Sequence, residues 1–536
     1  MDKLCMRFDQ INRILVLVPH QDDEIAVAGS LIWTLRQQNK EVYVCYATNG
    51  DYEISADIRY QEACEALEVL GVSKDYIIML GYPDTSNEDG LAHIFYHEGT
   101  NPIHSKGGYD HTYSGELFTD YATLVYGQQH SYTRQNYLND VKAVMHQLLP
   151  DLIICVDMDH HVDHRMLSLI FERAMGEILK ENPNYRPKVW KAFAYGTNYA
   201  QVRDYWQINL NKTQYPQTRL RDNEGKMDNP FYDWRKRVRV PVDPKLYTLP
   251  IKYGIIYRAL EKYASQMAIL FAESTINSDQ VFWERRTDNL LLQADVSASS
   301  GNAKFLNDFM LFDASSIHEV EHYDREGLWI PDEEDNQKCI FIDLRESQVL
   351  DSISIWGLGQ DIELQIMNKN QYITKSCKHL TGEWHIDLPD HFTAQTLKLI
   401  FKYDKRVPFG IGEIELLKEQ EGKLRYIKLL VNDLFVNTYY TCFSIPKVKL
   451  YQYNINIPND QIVYYVNGKP IKSLKRWRFL FKKNVKINVV VKNNSHMSDE
   501  VELHFVKPIH WFKRKKELAV MSKQFEEVKK ETLSRR

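Results

Sequence analysis

The apolar run Ile14-Leu15-Val16-Leu17-Val18 leads straight into Pro19-His20-Gln21-Asp22-Asp23-Glu24, which carries one imidazole and three carboxyl groups. The run is short, contains β-branched residues and does not alternate with polar ones, the pattern of a buried parallel strand. The polar cluster therefore falls where such a strand ends and a helix begins, the place where open α/β sheets bind ligands. Unpaired carboxylates at a packed strand end are costly. A bound cation relieves that cost and recruits the imidazole as well.

A second cluster follows the same plan. Asp151-Leu152-Ile153-Ile154-Cys155-Val156 is another apolar strand candidate; it runs into Asp157-Met158-Asp159-His160-His161-Val162-Asp163-His164, and Arg165 to Leu179 reads as a helix. Either cluster alone reads as a helix cap. If the two strands are neighbours the clusters converge, and a mixed imidazole and carboxylate set suits a divalent metal such as zinc, with one position open for water.

Around these strands, residues 1–285 alternate strand and helix. Helices are expected at about Glu24–Gln38, Ala56–Leu70, Gln135–Leu149 and Tyr257–Glu273, and further strands at Glu41–Ala47, Tyr76–Leu80 and Val189–Tyr195. Such alternation argues an α/β, Rossmann-like parallel sheet covered on both faces. Thr85 to Thr133 is long and aromatic, and reads as a functional loop or lid. Its histidines, His93, His97, His104, His111 and His130, read as solvated loop residues.

At these motifs the sequence resembles the PIG-L/LmbE-like metal-dependent de-N-acetylases. The family's [A/P]-H-P-D-D-E motif stands as Pro19 to Glu24, with Gln21 in place of the usual Pro, and its H-x-D-H motif as His161-Val162-Asp163-His164. A third stretch also fits: Arg59, Glu62 and Ala63, then Leu70-Gly71-Val72, then Leu80-Gly81-Tyr82-Pro83-Asp84. The resemblance implies that His20, Asp23 and His164 hold the metal and that Asp22 is the general base. It further implies that His161 donates to the oxyanion, and His161 is the candidate acid for the leaving amine. Asp163 would orient one of the histidines. Arg59 and Asp84 are expected to contact substrate, and Glu24 to serve the helix N-terminus.

From about Asn289 the pattern changes to short strands and turns. Ala294–Gly301, Phe305–Asp308, Leu328-Trp329, Phe341–Leu344, Ser352–Gly357 and Ile411–Leu416 follow in an order that resembles the discoidin or coagulation-factor C-type module, a jelly roll also used to bind carbohydrate. The expected division is a deacetylase domain at 1–285, this module at 289–417, an Ig-like β-rich region at 418–507 and a charged tail at 508–536. Trp329 is expected in the module's core. In the third region Val485–Val491 and Val501–Phe505 read as paired strands, and Val466-Asn467-Gly468-Lys469 as a hairpin turn after Ile462–Tyr465.

The net charge of −5 over 536 residues gives no nucleic-acid signature, and no apolar run approaches a membrane span. The N-terminus lacks a signal pattern, and seven scattered Cys favour a reducing, cytoplasmic setting. Basic residues interleave with aromatics at 472–486 and again at 511–516, which allows peripheral contact with anionic membrane at the inner face. Glu517 to Arg536 reads as a charged terminal helix. The function expected is zinc-dependent (or other divalent-metal) removal of acetyl from an N-acetylglucosamine-type sugar, with a possible glycan ligand for the module. The alternatives are an amidase for another small-molecule amide and a non-catalytic glycan-binding scaffold.

Overall fold

The computed structural model describes residues 8–84, 94, 102–159, 161–194, 209–210, 212–213, 234–246, 251–311, 327–369, 371–380, 382–420, 423–474, 484–492 and 494–533. The first strand, β1 (Arg13–Val18), is an interior strand, third in a seven-stranded sheet. It pairs in parallel with β2 (Glu41–Thr48) on one side, which pairs in parallel with β3 (Ile77–Tyr82). On its other side it pairs in parallel with β4 (Leu152–Val156), which pairs in parallel with β5 (Lys188–Ala192). The β1 side chains from Ile14 to Val18 are buried. That burial on both faces is why the run is uniformly apolar rather than alternating.

The far edge departs from the expected all-parallel sheet. Two strands, β6 (Val238–Pro241) and β7 (Asp279–Arg285), extend it antiparallel in the order β5-β7-β6. Neither had an apolar signature, because their inner residues include charged groups that pair with each other, Arg239 with Asp279.

Helices α1 (Asp23–Gln37), α2 (Ala56–Val69), α4 (Arg134–Leu148) and α5 (Val162–Glu181) match the expected helical stretches to within a few residues. The short α3 (Tyr121–Tyr126) lies inside the long insert, where Asp120 accepts from the Thr123 N–H at its start. His130 is tied to Asp140 at 2.9 Å rather than simply solvated; His93 and His97 lie outside the described residues.

The single helix expected at Tyr257–Glu273 is broken. An α-helix runs only from Ile255 to Leu260, and short turns follow at Ala268–Phe271 and Ala272–Thr275. The Ser265 N–H and hydroxyl both donate to the Glu62 carboxylate, at 2.8 and 2.6 Å, and Met267 takes a left-handed φ of 52°. Tertiary hydrogen bonds thus outcompete the helical ladder there.

Residues after 289 form a sandwich of antiparallel sheets. One has four strands, His379–Leu380, Glu383–Asp387, Ser352–Leu358 and Gly410–Leu417; the other has five, Gln371–Cys377, Ile362–Asn368, Thr393–Lys402, Cys339–Val349 and Asp295–Ala298. Trp329 is fully buried between them and donates its indole N–H to the Ser300 carbonyl at 2.7 Å.

In the third region Val485 pairs antiparallel with Leu503, and Val466 pairs with Lys469 across Asn467 and Gly468, whose φ values of 48° and 78° suit a two-residue hairpin turn. This region does not bury its core separately. Its apolar residues, among them Ile427, Leu429 and Val501, join one continuous cluster with those of the N-terminal sheet. Tyr426 and Tyr453 donate their hydroxyls to the carbonyls of Arg239 and Arg237. The terminal helix begins at Pro508, not near Glu517, and runs to Leu533. Pro is well placed in a first helical turn, and no Gly or Pro follows to interrupt the helix.

Candidate metal centre

Because β1 and β4 are adjacent, the loops after them meet at the carboxyl edge of the sheet. Strand order runs outward from this pair in both directions, so the loops flank the topological switch point. The β1–α1 loop delivers His20 and Asp22, and the first residue of α1 is Asp23; the β4–α5 loop delivers Asp159 and His161, the first turn of α5 Asp163 and His164, and the segment just after β3 Asp84.

One carboxylate oxygen sits at the middle of the cluster. Asp23 Oδ2 lies 3.0 Å from His20 Nδ1 and 3.2 Å from His164 Nε2. The opposite nitrogen of His20, Nε2, is 3.0 Å from Asp163 Oδ2 and 3.4 Å from Asp84 Oδ1. The opposite nitrogen of His164, Nδ1, is 2.8 Å from Asp159 Oδ2. Ligand atoms of His20, His161 and His164 all lie within 4.8 Å of one another, as do those of His20, Asp84 and Asp163. These side chains are buried or nearly so.

Charge and spacing both fit a divalent ion. Burial works against a charged imidazole, yet Asp84, Asp163 and Asp23 hold His20 protonated well above its ordinary range. Against the same burial, Asp159 and Asp23 raise His164 to about 10. Asp23, which burial alone would neutralise, is pulled well below the usual carboxylate range by His164 and His20. Two positive imidazoles therefore stand among four buried carboxylates, Asp23, Asp84, Asp159 and Asp163. A divalent cation brings the same two charges. The 3.0 and 3.2 Å separations around Asp23 are close to the edge of about 3.3 Å expected between tetrahedral ligands with bonds of about 2.0–2.1 Å, while the two groups of three whose ligand atoms all lie within 4.8 Å of one another leave Asp23 out.

Asp22 sits beside this set in a backbone conformation rare for a residue with a side chain, φ 130° and ψ −27°. Such positions cost about 1–3 kcal/mol and persist where surrounding contacts enforce them. Here the enforcing contact is Glu24, whose Oε2 accepts the Asp22 N–H at 3.0 Å while its Oε1 accepts the Tyr263 hydroxyl at 2.6 Å. Glu24 is buried, and burial pushes it up to about 8. It braces the loop, consistent with its expected place at the helix N-terminus. Burial likewise pushes the Asp22 carboxyl up to about 7, with the Arg59 guanidinium opposing and Asp23 adding to the rise.

Arg59 is not placed as an open substrate contact. It is buried, donates from Nη2 to the Gln21 carbonyl at 2.9 Å and from Nε to Gln21 Oε1 at 3.2 Å, and faces Asp22 at 4.0 Å. Two of its five N–H groups go to Gln21, and from there it stands as a counter-charge in the wall behind Asp22. Gln21, for which the sequence suggested no role, also donates from Nε2 to the Thr48 carbonyl at 3.1 Å. Gly50 makes room for this clamp: its φ is +70°, and a Cβ there would sit 2.4 Å from Gln21 Oε1. Asp84, also expected at substrate, is instead drawn against His20.

His161 has a different character from the other two histidines. Its Nδ1 accepts the Asp163 N–H at 3.2 Å and so caps α5. Burial, then the neighbouring His20 and His164, push it down to about 4. With Nδ1 an acceptor, the proton of a neutral His161 sits on Nε2. That proton suits a hydrogen bond to an oxyanion, but giving it up would leave an imidazolate, which counts against His161 as the acid for the amine. Asp159 holds the His164 ring, and in the sequence only its spacing before His164 marks it.

Residues 15–175 match the family model described as GlcNAc-PI de-N-acetylase, PIG-L. No curated protein matches the chain. Among solved structures, N,N'-diacetylchitobiose deacetylase from Pyrococcus horikoshii is similar at 16% identity, over 53% of this chain and 87% of that one, with a TM-score of 0.28. A deacetylase of the teicoplanin biosynthetic pathway is similar at 14% identity, over 51% of this chain and 97% of that one, with a TM-score of 0.27. A chitosan-binding module from a chitosanase/glucanase of Paenibacillus sp. IK-5 is similar at 18% identity, over 24% of this chain and 98% of that one, with a TM-score of 0.17.

Proposed function

The N-terminal region of this chain is a PIG-L family domain, and from that premise we propose that the protein is a metal-dependent hydrolase removing the acetyl group from an N-acetylglucosamine-type amino sugar. The observation that carries this reading is the Asp23 oxygen set between His20 and His164, with Asp22 held next to it in a strained backbone. His20, Asp23 and His164 would hold the ion, zinc being the candidate its donor set favours. When bound, such an ion supplies Lewis acidity, which lowers the pKa of a water toward about 7.

The remaining work falls to the chain's own groups. Asp22 takes a proton from the attacking water, a task suited to a carboxyl whose pKa lies near the working pH. His161 Nε2–H donates to the oxyanion of the tetrahedral species. Asp163 and Asp159 fix the ring orientations of His20 and His164. As the C–N bond breaks, the proton held by Asp22 passes to the nitrogen, so acetate and a free amine leave. The β-sandwich, by its sequence resemblance, is the part proposed to hold a glycan.

The test uses the purified full chain, loaded with zinc and assayed for acetate release from free, lipid-linked and polymeric acetamido sugars. Bound metal with acetate released from at least one of them is the expected result. Bound metal with no acetate from any acetamido sugar would move the assignment to another amide. Failure to hold any divalent ion would remove the proposed catalyst.

A further inference from the structure

The helix Pro508–Leu533 meets the third β region near its N-terminal end. Leu518 is buried, and the Arg514 guanidinium lies 4.2 Å over the Tyr440 ring. At 100° per residue, Ile509, Phe512, Lys513, Lys516 and Val520 fall on the opposite side. Their exposures are high for apolar residues: Ile509 is 73% exposed, Phe512 61% and Val520 50%. Phe443, just past the strand Thr438–Thr441, is 69% exposed and its ring centroid is 6.0 Å from that of Phe512. Ile445 beside it is also exposed. Large apolar side chains gathered on one surface of a protein mark a contact site rather than ordinary surface.

The charge around this patch is predominantly basic, with Glu517 at its edge 3.9 Å from Lys513. Residues 507–516 contain Lys507, Lys513, Arg514, Lys515 and Lys516 and no carboxylate. Lys507, Lys513, Lys515 and Lys516 are exposed, as is Lys447 next to Ile445. A two-fold contact with a second copy would set this face against itself, cation against cation. Apolar side chains interleaved with lysines on a helix face are instead the composition of an interfacial helix on an anionic membrane. We propose that this face seats on an anionic lipid bilayer, with Phe443, Ile509 and Phe512 entering the interface and the surrounding lysines meeting headgroup phosphates. The chain then works with its catalytic domain held beside a membrane surface.

The proposal is independent of catalysis, so it is tested without a sugar substrate. Full-length protein is sedimented with vesicles of phosphatidylcholine alone and of phosphatidylcholine with about a third phosphatidylglycerol. Partition onto the anionic vesicles only, weakening as salt rises, is expected. Each cation near such a surface is worth about fivefold, so Lys513→Glu with Lys516→Glu should weaken partition by roughly twenty-fold or more. Phe443→Ser with Phe512→Ser should weaken it by roughly tenfold or more. All four positions are exposed, so the variants should fold, and unchanged far-ultraviolet dichroism checks this. No partition at low salt, or partition that neither double variant alters, overturns the proposal. So does a concentration-dependent dimer in ultracentrifugation that Phe443→Ser with Phe512→Ser abolishes while vesicles bind nothing; the face would then belong to a second copy.

Discussion

Replacing Arg285 with Met should loosen the junction between the N-terminal α/β domain and the β-sandwich without unfolding either. Arg285, at the end of β7, is 3% exposed; it donates from Nη1 to Glu415 Oε1 at 3.0 Å and from Nη2 to the Phe309 carbonyl at 2.8 Å. Its Nε also lies 3.9 Å from Glu172 on α5. Two hydrogen bonds to a charged group, at roughly 1.5–3 kcal/mol each, suggest a loss of about 3–6 kcal/mol. Breaking a buried ion pair by removing one partner costs a similar amount, about 3–5 kcal/mol. Two contacts soften the loss. Trp356 still donates to Glu415 Oε2 at 3.0 Å, and Lys191 still faces Glu172 at 3.3 Å. The lower end, about 3 kcal/mol, is therefore expected, which is roughly a hundredfold in a local opening equilibrium. Hydrogen exchange reads this directly, because three amides are tied to junction side chains. Phe309 N–H donates to Glu413, Leu311 N–H to Glu172 and Leu416 N–H to Asn289. Their exchange should accelerate about a hundredfold while amides of β1 and β4 keep their rates. Adding Glu415→Gln should restore part of the protection, since the stranded carboxylate is then neutral. Acceleration below about fivefold, or a change spread evenly over the chain, would refute this account of what joins the two lobes.

Three further outcomes follow from the site and the junction. Asp22→Asn should keep the metal yet lower turnover by about 10²–10⁴-fold, because it removes a base and not a ligand; loss of metal equal to that of His164→Ala, measured on the same preparations, would contradict the division of roles. Asp159→Ala frees the His164 ring from its 2.8 Å partner. Metal affinity should fall by about 10–100-fold with much smaller loss of turnover at saturating metal, and unchanged affinity by metal titration would remove Asp159 from that role. Asp308, which caps the Met310 N–H, is pushed from 3.8 up to about 7, chiefly by burial and further by Glu172, with Lys180 and Arg173 opposing. Because its folded-state value lies above the unfolded one, the folded chain holds more protons between about pH 4 and 7, and junction stability falls as pH rises through that window. Exchange protection at Phe309 and Leu311, corrected for intrinsic rates, should therefore be lower at pH 8 than at pH 6, and Asp308→Asn should reduce the difference, the remainder belonging to Glu413, which burial and Asp308 hold well above the usual carboxylate range.

The catalytic half was readable because its signals are local. The β1 and β4 runs are apolar on both faces, each ends in its own polar cluster, and a parallel sheet leaves few ways to arrange them. The expected helix at Tyr257–Glu273 failed for the opposite reason. Its apolar spacing is helical, but Ser265 is captured by Glu62, some two hundred residues earlier in the chain. Periodicity reports which face is apolar, not which backbone donors a distant carboxylate will claim. Strands β6 and β7 escaped notice because a buried ion pair, Arg239 with Asp279, fills positions where a pattern search looks for apolar residues.

The same contrast divides the site itself. His20, Asp22, Asp23, His161, Asp163 and His164 occupy two short motifs, so chain proximity announces them. Arg59 also stands in a recognisable motif, yet its placement depends on Gln21, which accepts from two of its N–H groups, and on Gly50, whose missing side chain lets the two meet. Those contacts join two separate loops and helix α2, and nothing in the spacing of the three residues foretells them. Gln21 stands where the resembling family has Pro, a residue with no side-chain donor or acceptor. A Pro there could offer its carbonyl to Arg59 but not the second bond from Oε1, nor the bond to Thr48. The substitution therefore trades a stiff loop for a polar clamp that holds the guanidinium behind Asp22. Gln21→Pro should accordingly leave the three ligands in place while freeing Arg59 to move, and the sharpest readout is the side chain of Arg59 in a crystal structure of the variant. An Arg59 that keeps its position 4.0 Å from Asp22 without Gln21 would show that the clamp is incidental.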